Sequence, residues 1–198
     1  MFATAVSELL VFQVRSALQL TQEAAPHLEA SGRGSVVLVS SVAGYAPLDG
    51  LGAYSVMKST LIGLNKALSQ SLARRNIRVN AIAPGIIRTD FSRALYANEV
   101  DHENWLRSIP LNRLGQAEEC AEAVAFLEFR NEAFCSTIAF LDLIHTYEKV
   151  QCTRSIPSGS VASASEKTSE VNTDSDIAFM RGSSVVAVDS VALFGNYD

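Results

Sequence analysis

The sequence predicts an α/β fold with a doubly wound parallel sheet, and three observations support this prediction. Two short apolar runs, residues 35–40 and Ile77–Ala83, lack the alternation of a strand that has one face in water. They therefore predict strands that are buried on both faces, as parallel strands are. A long helical pattern lies between them, and two such strands joined by a helix form a βαβ unit. The chain of 198 residues is long enough for one domain with a sizeable core.

The first part of the chain alternates between helix and strand. Apolar positions recur at helical spacing over residues 7–28, and a glycine-rich cluster ends that helix because glycine readily adopts the left-handed conformation. After the first strand, residues 43–52 are rich in Gly, Pro and Asp and predict a loop. A second helix is predicted over residues 53–75, and a Pro-Gly pair ends the strand that follows it.

The C-terminal part of the chain is organised differently. A third helix is predicted over residues 112–127. Residues 128–174 differ in composition, and the half that starts at Gln151 is dense in Ser and Thr and is expected to be poorly ordered. Residues 178–191 return to an apolar pattern that predicts a third strand.

The composition excludes several classes of function. A net charge of −5 and a pI of about 5.2 argue against a nucleic-acid-binding protein, which needs a basic surface to meet phosphates. The apolar stretches are shorter than the ~18 residues of a membrane span, and the first residues do not resemble a secretory signal. Three cysteines without a CxxC pair favour an intracellular, cytoplasmic location. Three scattered histidines predict no metal site.

Ser41, Tyr54 and Lys58 form the strongest chemical pattern. Tyr54 and Lys58 stand four residues apart at a predicted helix start, so both side chains lie on one helix face. A lysine ammonium beside a phenol favours the phenolate and lowers a pKa that begins at about 10, which suits proton exchange with a carbonyl oxygen. Ser41 ends a buried strand, at the rim where α/β sheets bind ligands, and its hydroxyl could orient the same oxygen. Taken alone, a Tyr-Lys pair at this spacing is more often a weak surface contact.

Three sequence motifs together support a functional interpretation of Ser41, Tyr54 and Lys58. The segments GSVVLVSS (34–41), YSVMK (54–58) and NAIAPGIIRT (80–89) resemble the short-chain dehydrogenase/reductase family in order and spacing. The separation of 13 residues between Ser41 and Tyr54 is usual for that family, and the likeness extends from about residue 7 to residue 127. The resemblance implies an incomplete Rossmann-like sheet of which the second half is retained.

The resemblance also assigns roles to single residues. Tyr54 would be the general acid/base, Lys58 would hold the nicotinamide ribose as well, and Ser41 would steady the substrate carbonyl. Besides Tyr54 and Lys58, the residues implied to face the nicotinamide and pyrophosphate parts of the cofactor are Pro84, Gly85, Ile87 and Thr89. Two simpler interpretations stay open: a plain strand-ending turn at the Pro-Gly pair, and a helix cap at Thr89.

The sequence departs from the family pattern at three places. The family's glycine-rich dinucleotide turn has no counterpart, and neither has the residue that selects the adenosine ribose. Gln13 stands 28 residues before Ser41, where the family has its catalytic asparagine. The additional methylene of Gln13 would shift a water held for a proton relay, or else Gln13 is simply a polar helix residue. The third departure is that the likeness stops after residue 127 and resumes at Asp176. The resemblance therefore implies that residues 1–127 and 175–198 form one domain, with the family's last strand in the second part, and that residues 128–174 are an insert. A lineage-specific loop and a translated intron both explain such an insert.

The C-terminus also differs from the subfamily pattern. Asp189 keeps an aspartate of the family, but Ser190 and Val191 replace the two glycines that usually follow it. The final tripeptide, Asn-Tyr-Asp, is not the peroxisomal signal expected of the subfamily with the greatest likeness.

Two functions are compatible with these patterns. An oxidoreductase would use NADP(H) or NAD(H) to reduce ketones, aldehydes or retinal-like carbonyls, and the subfamily resemblance favours NADP(H). Alternatively, a catalytically incompetent, truncated family member would act as an interaction partner of longer relatives. The helix that carries Tyr54 and the helix before it commonly pair with their equivalents in a second subunit of the family, so homo-oligomers and hetero-oligomers are both expected outcomes. A further interpretation is that the sequence is an incomplete version of a complete protein.

Overall fold

The computed structural model describes residues 2–129, 139–141, 177–178 and 185–188. Helix α1 (Phe2–Leu9) continues through a π-helical turn (Leu10–Arg15) into α2 (Ser16–Ala30), and α3 (Gly52–Leu72), α4 (Glu99–Ser108) and α5 (Ala117–Phe129) follow. The strands are β1 (Gly34–Val39), β2 (Ile77–Ala83), β3 (Ala139–Leu141), β4 (Ile177–Ala178) and β5 (Val185–Val188). Within this described part, every helix is too short or too polar to cross a lipid bilayer.

The described strands form one sheet in the order β3-β2-β1-β5-β4. Strand β1 runs parallel to both of its neighbours: Val36 is paired with Val79 of β2 and with Val186 of β5. Strand β3 is parallel to β2, whereas β4 is antiparallel to β5. The predicted parallel α/β sheet is confirmed.

Helices cover both faces of this sheet. On one face, α2 and α3 pack against Val36 and Leu38 of β1 and against Val79 of β2. On the other face, Leu127 of α5 packs against Val37 of β1. Successive side chains of a strand point to opposite faces, so β1 is buried on both sides. This arrangement is the predicted double winding, and it explains why the apolar runs show no alternation.

One helix and two helix boundaries differ from the prediction, and the first of these boundaries is at Phe2, where the helix expected from residue 7 begins. The sequence of α4 is largely polar and was not expected to be helical, but Trp105 packs against Ile109 and Leu114 and supplies the apolar contact. The helix predicted from residue 112 begins at Ala117 instead. Asn112 has a φ of 51°, a left-handed conformation that a continuing helix does not allow.

The C-terminal strands lie partly where the sequence predicted them. The predicted third strand contains β5, which lies beside β1. Strand β3 falls inside the predicted insert and lies beside β2, which was not expected. The rest of the insert beyond residue 129, and Asp189 with its two successors, lie outside the described residues. The boundaries proposed for the domain and the insert stay predictions.

Candidate active site

The loop that follows β1 places Ser41 where the two central strands end. The backbone of Ser41 is extended, and its Oγ accepts a hydrogen bond from the Ala43 N–H at 3.2 Å, so Ser41 caps the 3-10 turn Val42–Gly44. The same hydroxyl donates to the Pro84 carbonyl at 3.4 Å. The Val42 N–H donates to that carbonyl as well, at 3.0 Å. The carboxyl ends of β1 and β2 are therefore held together at Ser41.

Tyr54 and Lys58 lie in successive turns at the start of α3, as their spacing predicted. The Nζ atom of Lys58 lies 5.5 Å from the centroid of the Tyr54 ring, within the range of a cation–π contact. The Lys58 side chain is fully buried, and its Nζ donates a hydrogen bond to the Val39 carbonyl at 2.9 Å. A buried charge is costly unless it is hydrogen-bonded, so this bond helps to hold the ammonium beside the phenol ring.

The segment after β2 is fixed by a distant part of the chain. Ile87 and Gly115 form an isolated parallel bridge. In this bridge the Gly115 N–H donates to the Ile86 carbonyl at 3.0 Å, and the Arg88 N–H donates to the Gly115 carbonyl at 2.8 Å. The position of Ile87, one of the residues expected to face a cofactor, therefore depends on the loop before α5.

A charged contact holds that loop in turn. The Glu119 carboxylate accepts hydrogen bonds from the two terminal guanidinium nitrogens of Arg113, at 2.8 and 2.6 Å, and from the Gln116 N–H at 2.8 Å. The hydrogen bonds from Arg113, followed by the one from Gln116, lower the pKa of Glu119 to about 2. Gly115 lies between the residues joined in this way, so the contact restrains the bridge to Ile87.

Thr89 takes part in a tight turn. The Ser92 N–H donates to the Thr89 hydroxyl at 3.4 Å, and the two hydroxyl oxygens are 3.1 Å apart. The Ser92 hydroxyl donates to the Ile87 carbonyl, and the Tyr96 hydroxyl donates to the Thr89 carbonyl at 3.0 Å. The Thr89 hydroxyl therefore closes a turn before the 3-10 helix Arg93–Tyr96, whose N-cap is Ser92, and a contact of Thr89 with a cofactor stays a prediction.

A cleft of about 870 Å³ opens at the carboxyl ends of β1 and β2. Six of the predicted site residues line it: Ser41, Tyr54, Pro84, Gly85, Ile87 and Thr89. The rest of its wall is largely apolar and includes Leu48, Leu51, Phe91, Leu95, Cys120 and Val124. Clefts of this size and character bind small molecules, and this edge is where parallel sheets bind them.

Gln13 is not among the residues that line this cleft. It is buried in the π-helical turn between α1 and α2, and its Oε1 has no hydrogen-bond partner among the described residues. Neither Gln13 nor Lys58 belongs to the cleft wall, but Lys58 reaches Tyr54 from behind that wall. Single π-helical turns often occur at functional sites, and this turn contacts α3, the helix that carries Tyr54. Its role stays a prediction.

Comparison with known proteins identifies the family. A family model described as enoyl-(acyl carrier protein) reductase matches residues 3–138. The chain belongs to the short-chain dehydrogenase/reductase family of oxidoreductases. It is 44% identical over 120 residues to dehydrogenase/reductase SDR family member 4 of Oryctolagus cuniculus, which confirms the subfamily that the motifs indicated. The match covers 61% of this chain and 46% of the relative, so the chain spans less than half the length of that protein.

Solved structures show the same fold. The chain is similar to 4-hydroxyisoleucine dehydrogenase complexed with NADH, with a TM-score of 0.64 and 26% identity over 73% of this chain and 58% of the other. It is also similar to ElxO with NADP bound, with a TM-score of 0.57 and 25% identity over 64% of this chain and 52% of the other. The incomplete Rossmann-like fold that the sequence predicted is confirmed.

Several contacts at this site were not predicted. Ser92 and Gly115 both lie within residues 7–127, over which the sequence resembles the family, but the motifs given for that resemblance contain neither residue. Glu119 stands three residues after Gln116, the spacing of a helix-capping pair, and that pattern could have revealed the contact. The burial of Lys58 had no local signal, because its hydrogen-bond partner is on another element.

Proposed function

We propose that this protein is an NADP(H)-dependent carbonyl reductase or alcohol dehydrogenase that acts on ketones, aldehydes or retinal-like carbonyls. One observation carries the proposal: Tyr54 lines the cleft, Ser41 lines it as well, and the buried ammonium of Lys58 contacts the Tyr54 ring from behind. This arrangement offers a proton donor and a second hydroxyl to one substrate oxygen, beside a fixed positive charge.

Tyr54 is the proposed general acid in the reductive direction. It gives its phenolic proton to the carbonyl oxygen of the substrate, and the Lys58 ammonium stabilises the phenolate that results. The Ser41 hydroxyl turns from the Pro84 carbonyl to the same oxygen, and the hydrogen bond that it donates there orients the substrate carbonyl. In the reverse direction, the phenolate accepts the proton of an alcohol.

The residues present fit the nicotinamide end of a cofactor. Ile86 and Ile87 line the same cleft as Ser41 and Tyr54 and give it an apolar wall that suits an aromatic ring. The bound nicotinamide would supply the hydride. The two similar structures hold NADH and NADP respectively, and the subfamily resemblance favours NADP(H) for this chain.

A fluorescence titration with NADPH, followed by a turnover assay, tests the proposal. We expect saturable NADPH binding below millimolar concentration, and Tyr54→Phe is expected to abolish carbonyl reduction while it leaves that binding intact. Tyr45→Phe is the matched control, because Tyr45 lies in the loop between β1 and α3 but is not part of the cleft wall. Unchanged turnover in Tyr54→Phe would refute the role of Tyr54, and the absence of saturable binding would refute the enzyme proposal for this chain.

Association with a second subunit is a separate proposal. Large apolar side chains are exposed on the helical elements that the family commonly pairs, namely Val11 and Phe12 in the π-helical turn and Val56 on α3. Burial of such side chains drives association. Val11→Glu is expected to weaken self-association or co-purification with a longer relative, whereas Val100→Glu, on exposed α4, should not. Monomeric elution of the unaltered chain, with no co-purification, would contradict this proposal.

A further inference from the structure

Ser41 lies in the loop after β1, whereas Tyr54 and Lys58 lie on α3, so the distance between them depends on contacts between these two segments. Two side-chain hydrogen bonds join the loop after β1 to α3 at Lys58 and its neighbour. The Ser40 hydroxyl donates to the Lys58 carbonyl at 2.7 Å, and the Ser59 hydroxyl donates to the Gly44 carbonyl at 2.6 Å. These bonds run in opposite directions between the same two segments.

Gly44 brings the two segments into close contact. A Cβ atom added at Gly44 would lie 2.9 Å from both the carbonyl carbon and the carbonyl oxygen of Lys58, a distance at which something must shift. The backbone of the loop therefore packs directly on the backbone of α3 at Lys58.

Lys58 is held at both ends by consecutive residues of the same strand end. Its ammonium donates to the Val39 carbonyl at 2.9 Å, and its backbone carbonyl accepts the bond from the Ser40 hydroxyl. Ser40 is itself buried, and its N–H donates to the Ile82 carbonyl of β2 at 2.8 Å. Ser40 thus joins β1, β2 and α3 at one point.

We propose that Ser40 is a positioning residue that sets the location of Lys58, and through it the contact of the ammonium with Tyr54. This inference rests on the proposed function, because it assigns Ser40 an effect on a reaction that Tyr54 carries out. Loss of the Ser40 hydroxyl frees the backbone of α3 at Lys58, and the ammonium then moves relative to the phenol ring. Ser40 does not itself touch the substrate.

The test compares Ser40→Ala with Ser69→Ala. Ser69 is a matched control because it is a buried serine on α3 whose hydroxyl also donates to a backbone carbonyl, that of Lys66, at 2.9 Å. The first readout is the ¹⁵N resonance of the Lys58 ammonium, assigned by its loss in Lys58→Arg. The second is the pH profile of carbonyl reduction. Thermal unfolding is followed for each variant to confirm that it is folded.

We expect the Lys58 ammonium resonance to shift in Ser40→Ala and to stay unchanged in Ser69→Ala. We also expect kcat to fall by roughly 10- to 100-fold, as for a misplacement on the order of 1 Å, with a smaller change in KM. The alkaline limb of the pH profile should move to higher pH, because a displaced ammonium stabilises the phenolate less. An unmoved resonance together with an unmoved alkaline limb in folded Ser40→Ala would overturn the inference.

Ser59→Ala keeps the inference testable if Ser40→Ala does not fold. Ser59 is exposed, so its replacement leaves the core intact while it removes the bond to Gly44. A shift of the Lys58 resonance in the same direction but smaller supports the inference, and no shift contradicts it. If the unaltered protein binds NADPH but reduces no carbonyl, the proposed function fails, and the resonance alone then decides the positioning role.

Discussion

Replacement of Lys58 by methionine separates the stability of this fold from its proposed chemistry. Lys58 is fully buried, and its ammonium donates a hydrogen bond to the Val39 carbonyl. Methionine has a similar length and flexible shape, so Lys58→Met fills most of the same space without a charge. We expect this variant to fold as well as the unaltered protein and to lose its carbonyl reductase activity.

The expected change in stability follows from two opposing effects. Lys58→Met removes a hydrogen bond to a charged group, which contributes about 1.5–3 kcal/mol. It also removes the cost of burying an ammonium, which is several kcal/mol per ion. The free energy of unfolding should therefore stay within about 1.5 kcal/mol of the original value or rise. Lys58→Ala leaves a cavity instead and should lower the free energy of unfolding by about 2–5 kcal/mol.

Urea unfolding at pH 7 and a carbonyl reduction assay measure the two effects. Lys66→Met is the control, because Lys66 is exposed on the same helix and its replacement should change neither quantity by much. Activity of Lys58→Met should fall at least about 100-fold, the lower range of general acid–base catalysis. If Lys58→Met destabilises the fold as much as Lys58→Ala does, the ammonium is a net stabilising group and the reasoning is refuted.

Three further predictions concern the surroundings of the cleft. Arg78 of β2 donates hydrogen bonds to the backbone carbonyls of residues 127 and 128 near the end of α5. Arg78→Met should therefore lower the free energy of unfolding, measured in urea, by about 1.5–3 kcal/mol. Arg107→Met is the control and should not lower it, because Arg107 is exposed on α4. Because the pKa of Glu119 is lowered from 4.5 to about 2, its stabilising contribution is complete above pH 4.5 and is lost as the pH falls to about 2. The difference in melting temperature between the unaltered protein and Glu119→Gln should shrink over that range, and a difference independent of pH would contradict this. Ser92→Ala removes the hydroxyl that donates a hydrogen bond to the Ile87 carbonyl. The affinity for NADPH, measured by fluorescence titration, should therefore fall about tenfold. An unchanged affinity would show that the turn at Ser92 does not shape the cofactor site.

The sequence was sufficient to predict the βαβ unit and the side chains at its open end. Burial of a strand on both faces depends on the whole fold. It is nevertheless visible in the sequences of β1 and β2, because neither run alternates between apolar and polar residues. The spacing of Tyr54 and Lys58 fixes a shared helix face without reference to any other element. Such features depend on neighbours along the chain, and the structure reproduces them.

Features that depend on a choice between distant partners were not predictable in the same way. A short run such as Val185–Val188 has a strand pattern, but nothing in it states which edge of the sheet it will join. The helical pattern before Ala117 was overridden by the bridge between Gly115 and Ile87, which needs both segments in place. The bond that the Thr89 hydroxyl accepts from the Ser92 N–H was left open for the same reason, because the cap and cofactor interpretations use the same Thr89 side chain.

The contacts around Lys58 predict that the proposed acid–base chemistry and the proposed cofactor binding depend on different parts of this chain. Ser40 and Ser41 lie in the loop after β1, and Tyr54 and Lys58 lie on α3. Hydrogen bonds from Ser40 to Lys58 and from Lys58 to Val39 of β1 join these two segments. The wall that would face the nicotinamide depends instead on the turn at Ser92 and on the bridge to Gly115. Changes in the first set should therefore alter kcat and the pH profile, whereas changes in the second should alter the affinity for NADPH. A variant of the second set that moved the alkaline limb of the pH profile would show that the two sets are mechanically coupled through the ends of β1 and β2.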